Sequence, residues 1–152
     1  MKRFKLLLLL TAFPLFFSTA QFAEKSKDFQ KFNGYFNFKY DDKTDKVYLE
    51  VEDLEKEFLY VSSLSSGIGS NDIGLDRGQL GGTRLVFFRK AGNKLLLVQP
   101  NLRFRALTDN ALERKSVEQA FAKSVLGGFM IEEEKNGKYI IDITEFLMQD
   151  TH

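Results

Sequence analysis

Between Ser65 and Gly82 the chain carries six of its eleven glycines and shows neither a helical nor an alternating apolar pattern, yet the segments on either side read as strands. A connection this long is uncommon in a compact domain, where it is either functional or disordered. Ile68, Ile73, Leu75 and Leu80 are spread through it and favour burial, so an ordered loop is expected. Its glycines supply positive φ or a close backbone approach. The fold is therefore constrained to strand, long ordered loop, strand.

The flanking pattern is mostly β. Tyr35 to Tyr40 alternates, with Phe36, Phe38 and Tyr40 on one face. Val47, Leu49 and Val51 share a face beyond the polar turn 41–46, which makes a hairpin. Residues 57–64 are apolar on both faces at their centre and read as a central strand. Residues 84–89 and 94–99 follow as strands about the Ala91-Gly92-Asn93 turn, and Pro100 ends the second. Leu102, Phe104 and Ala106 alternate with Arg103 and Arg105, which predicts a short strand with two guanidinium groups on one side. Asn110 and Glu113 form a capping-box pattern before Val117, Phe121 and Val125, predicting a packed helix over about 111–124. Asn136-Gly137 between 129–135 and 138–143 is a strong hairpin signal, and a second helix begins near Thr144. The class is α+β, mainly antiparallel sheet.

The organisation expected is a signal peptide over 1–20, a flexible lead-in over 21–32 and one β-rich domain over 33–152. Lys2, Arg3 and Lys5 precede the apolar run Leu6 to Phe17 and the small-residue site Ser18-Thr19-Ala20. That run is shorter than the roughly 20 residues of a transmembrane helix, so export without an anchor is expected, to the periplasm, outer surface or extracellular space. The helical pattern from Thr144 has no stop signal before His152, which is the expectation for a domain truncated at its C-terminal end.

Without cysteine, an exported domain must be held by its core. After cleavage 19 basic residues face 21 acidic ones, which gives no basic excess for nucleic acid. The single histidine, His152, excludes a Ser-His-Asp triad or a two-histidine zinc site within the chain. Gly67-x-Gly69 is followed by Asp72 where a dinucleotide fingerprint requires glycine, and there is no phosphate-loop Lys-Ser/Thr. Catalytic and metal positions are therefore none. Candidate binding residues are Asn71, Asp72, Asp76, Arg77 and Gln79 in the loop, although Asp76 beside Arg77 equally suits a pair that shapes the backbone. Arg103 and Arg105 are candidate anion contacts, against the alternative of a wet sheet face crossed by ion pairs.

Asn33-Gly34-Tyr35-Phe36, residues 57–64 and Gly67 through Gly81 together resemble the start of a family of large exported zinc-dependent metalloproteases, met-zincin-like proteins common in Bacteroidetes. The likeness continues through Leu97 to Asn101, Ser124 to Phe129 and Asp142 to Asp150. The resemblance implies an N-terminal domain of unassigned function upstream of a peptidase domain with a His-Glu-x-x-His-x-x-Gly-x-x-His zinc motif. That motif is not in this chain, so no catalytic residue carries over, and zinc, the peptidase domain and a peptide or protein substrate are implied only for the longer protein. The rival expectation is a free-standing secreted β-rich module that binds a peptide, glycan or envelope partner through the loop and Arg103/Arg105. The two differ in what they require of the surface: a domain that packs on a missing neighbour exposes a large apolar patch, and a free-standing module does not.

Overall fold

The computed structural model describes residues 22–67, 69, 72–74 and 76–149. The signal peptide expected over 1–20 and the candidate Asn71 lie outside them. Eight strands, antiparallel in every described pair, make up most of the regular secondary structure among the described residues, and helices are few and short. Two compact units divide the chain, a terminal one from the residues before Asp53 with Phe129–Gln149, and a central one, Asp53–Gly128.

In the terminal unit β1 (Gln30–Phe32), β2 (Asn37–Asp41), β3 (Lys46–Val51), β8 (Lys138–Asp142) and β7 (Ser124–Lys135, from Phe129 onward) are neighbours in that order. The expected hairpins are present. Asn136 and Gly137 both take positive φ, at 53° and 77°, the pairing that a two-residue β-turn needs to match the strand twist. The register places Leu49 opposite Ile141 and Tyr48 opposite Asp142, so one face carries Leu49, Val51 and Ile141 and the other Tyr48, Glu50 and Ile140. Val51 and Ile141 are fully buried, and Tyr48 and Ile140 on the opposite face are buried too, so the sheet is covered on both sides.

The cover on the Tyr48 and Ile140 face comes from a segment that the sequence presents as a flexible lead-in. Residues 22–25 are helical, Ser26–Asp28 form a 3-10 turn, and Gln30–Phe32 pair with β2. Phe29 stacks on Tyr48 at 5.5 Å between ring centroids, and Phe22 meets the same ring edge-on at 5.0 Å. With Ile140 these rings form a buried cluster. The charged residues that suggested flexibility lie on the exposed side of these turns, and two aromatics spaced seven apart are enough to anchor the segment.

The central unit has the order β6 (Lys94–Gln99), β5 (Leu80–Ala91), β4 (Phe58–Ser63). Its core is Val86, Phe87 and Phe88 of β5 with Leu95, Leu97 and Val98 of β6, and Phe58 stacks on Phe88 at 5.6 Å. Three expectations are corrected here. Residues 57–64 are not a central strand: β4 stands at the end of the strand order and alternates half-buried with exposed, Leu59 being 70% exposed. Arg103 and Arg105 are not on a strand, because the Asn101 side chain accepts the N–H groups of Arg103 and Phe104 at 3.0 and 3.2 Å and closes a turn after Pro100. The helix, α1, is Ala111–Ala120, with the expected Asn110 cap on the Leu112 N–H at 3.0 Å, but none of its residues is buried. It stops early because Val125, the third member of the apolar stripe, already belongs to β7. A second helix, α2, is the single turn Thr144–Met148.

Candidate functional site

The glycine-rich connection is drawn closed at its base. The Leu64 N–H donates to the Gln79 carbonyl at 3.0 Å, the Gly78 N–H to the Leu64 carbonyl at 2.8 Å, and the Gln79 N–H to the Asp76 carbonyl at 3.0 Å. Gly69, Gly74 and Gly78 take positive φ, which explains glycine at those positions. The Asp76 carboxylate accepts the N–H of Arg77 at 2.9 Å, so its observed role is to shape the backbone. Asp72 and Arg77 are exposed.

β5 begins at Leu80 and takes in the last three residues of the 65–82 stretch, Leu80, Gly81 and Gly82. The β4–β5 register shifts between Val61 and Ser63, and Gly81 lies against Ser62 so closely that a Cβ there would be 2.5 Å from the hydroxyl. This bulge opens a cavity of about 220 Å³ lined by Ser62, Ser63, Gly74 and Gln79 among others. The lining offers hydroxyl and amide groups and no base to activate them, so it can hydrogen-bond a ligand but has no nucleophile–base pair.

A second region gathers the candidate arginines. One cavity of about 460 Å³ is bordered by Arg84, Gln99, Asn101 and Arg103. Another, of about 230 Å³, is bordered by Phe104, Arg105, Arg114, Phe121 and Lys123, and Pro100 and Asn101 line both. Phe104 stacks on Phe121 at 4.1 Å, and the Arg103 guanidinium lies 5.5 Å from the centre of the Phe104 ring. Arg103 and Arg105 thus face neighbouring hollows across one turn, apart from the loop candidates. Arg84, Asn101, Arg114 and Lys123 were missed in the sequence. The signal was Asn101 directly after Pro100, a turn-forming pair that ends the strand and reorients the arginines that follow.

The strong charge pairs lie elsewhere. Arg89 grips Glu55 with two hydrogen bonds of 2.7 Å, which holds the Glu55 carboxyl below its ordinary range and raises the Arg89 guanidinium. In the terminal unit Lys46 pairs with Asp142 and Lys138 with Glu50. The last two pairs link β3 to β8, and none of these paired residues lines a cavity described above. Among the described residues no group of three or more His, Asp or Glu side chains is placed to hold a metal ion. No helix among the described residues is long and apolar enough to cross a membrane.

No curated protein and no solved structure matches the chain. Two family models do match: residues 20–67 a domain of unknown function, DUF5118, and residues 78–152 a second domain of unknown function, DUF5117. The ten residues between the two matches fall within the glycine-rich connection.

Proposed function

We propose that this chain is a non-catalytic N-terminal part of an exported zinc-dependent metalloprotease, packing against the peptidase domain and helping, through the 65–82 loop, to shape the cleft that receives a peptide or protein substrate. The resemblance described above supplies the enzyme class. The observation that carries the packing role is apolar exposure in the central unit. Leu59 and Val61, two apart on β4 and so on one face, are 70% and 41% exposed, and Leu80, which follows the loop, is 69% exposed. Leu102, Leu107 and Leu112 are exposed as well. Neighbouring large apolar side chains on one exposed strand face, as at Leu59 and Val61, are the kind of surface that a partner covers.

The test has two parts. The natural gene product carrying this chain is assayed for peptide hydrolysis with and without a zinc chelator, and the chain alone, without its leader, is assayed for binding of a hydrophobic fluorescent dye. Chelator-sensitive hydrolysis together with dye binding by the isolated chain is the expected result. A gene product with no such activity, and a dye-silent monomer, would overturn the proposal and leave the free-standing module that binds a peptide, glycan or envelope partner.

A further inference from the structure

The described parts of the two units differ in charge. The central unit has eleven Lys and Arg against eight Asp and Glu, a net of +3, whereas the described part of the terminal unit has eight against twelve, a net of −4. Within the central unit the excess is concentrated around the two cavities that share Pro100 and Asn101. Arg84, Arg103, Arg105, Arg114 and Lys123 border them, and Glu118 is the one acidic lining residue. The other basic residues of this unit include Arg89 and Lys56, each already neutralised by a carboxylate at 2.7 and 2.6 Å. Three of the five at the cavities have contacts of another kind. Arg103 lies over Phe104, Lys123 over Phe87 at 5.7 Å, and Arg114 donates to the Thr108 carbonyl at 2.6 Å. Each of these contacts orients a cation without neutralising it.

The apolar component lies beside the charge. The Phe104–Phe121 stack forms one wall of the smaller cavity, and Asn101, whose side chain fixes the turn, sits where the two hollows meet. From this juxtaposition we propose that the two hollows form one binding groove for an acidic polypeptide segment, its carboxylates on Arg84 and Arg103 and an aromatic or aliphatic side chain against Phe104 and Phe121. Guanidinium groups pair with planar carboxylates through two parallel hydrogen bonds, which suits arginine to this position. A peptide suits the site better than a nucleic acid, because the cationic surface is confined to two small hollows and the chain as a whole has no basic excess after the leader. This inference stands on the central unit alone and does not depend on the protease reading.

The experiment is fluorescence anisotropy with the natural gene product and three labelled probes: a peptide with three glutamates around a phenylalanine, the same peptide with glutamines, and an eight-residue oligothymidylate. The acidic peptide is expected to bind at least about tenfold more tightly than the glutamine peptide, with affinity falling as salt rises. Arg84→Gln and Arg103→Gln should each weaken it by about tenfold, the value of losing one charge-assisted pair. Lys94→Gln removes the same charge from the far end of β6 and should leave binding within about twofold. Arg103 is exposed in a turn closed by backbone N–H groups, so its variant keeps the fold even if Arg84→Gln does not. Equal binding of the two peptides, unchanged binding by Arg103→Gln, or tighter binding of the oligonucleotide than of the acidic peptide would each overturn the proposal.

Discussion

Asp142 holds Lys46 at 2.7 Å with one carboxylate oxygen, and with the other it accepts both the hydroxyl of Thr144 at 2.6 Å and its N–H at 3.0 Å. The same Thr144 hydroxyl oxygen accepts the Val47 N–H at 2.9 Å. One side chain thereby ties the start of β3, the end of β8 and the first turn of α2. Burial by itself would push the Asp142 carboxyl up, but Lys46 and Thr144 outweigh it and hold it below the usual carboxylate range. Glu50 is lowered against the same burial, by Lys138 and Asn37.

A carboxylate with a lowered folded pKa contributes stability that is complete above its unfolded value, near ~4, and is lost as pH falls through the folded value. Thermal stability should therefore be flat near neutral pH and decline at acid pH below about 4. Asp142→Asn keeps an acceptor for Thr144 but loses the charge, so it should lower stability by about 1 kcal/mol at pH 7 and flatten the acid decline. Asp142→Ala, which leaves Lys46 and Thr144 without this partner, should cost about 1–3 kcal/mol. Melting curves across pH 2–8 check both.

Phe29→Ala should cost about 3 kcal/mol, seen as a lower urea midpoint, because it empties the position stacked on Tyr48 and leaves that ring a cavity wall. A truly flexible lead-in would give no change. Lys27→Ala is the control, since its pair with Glu24 is exposed on both sides and contributes little.

Gly81→Ala should destabilise by about 1–2 kcal/mol, since its Cβ would meet the Ser62 hydroxyl at 2.5 Å and the Ser62 carbonyl at 3.3 Å. Ser62→Ala removes the nearer atom and leaves a Cβ at an ordinary 3.7 Å. In a double-mutant cycle by urea denaturation, the second substitution should recover at least about 0.5 kcal/mol of the first. A cycle that closes additively would show that the bulge is looser than drawn.

Hairpins were legible in the sequence wherever turn chemistry is local. Asn136-Gly137 fixes its own geometry, and the Lys94 to Gln99 strand is bounded by a glycine turn and a proline. The covering of β3 was not legible, because Phe22 and Phe29 come from a charged stretch and reveal their role only through distant partners. β4 misled for the opposite reason. Its apolar run on both faces implies cover on both faces, and Leu59 remains exposed in the described residues. Arg103 and Arg105 alternate like a strand, but one Asn101 side chain captures two backbone N–H groups and the ladder never forms.

Glu55 allows the backbone and the ion pair to be separated. It takes φ 59°, a conformation that costs a residue with a Cβ about 1–2 kcal/mol, while its N–H donates to the Phe88 carbonyl at 2.8 Å and its carboxylate grips Arg89. The pair is about half exposed, so its contribution is at most about 1 kcal/mol after solvent screening. Glu55→Ala keeps the strained backbone and loses the pair, and should destabilise by up to about 1 kcal/mol. Glu55→Gly loses the same pair but relieves the strain, against a larger unfolded-state entropy, so it should melt at or above the alanine variant. If alanine proved the more stable of the two, the positive φ at this position would not persist in solution.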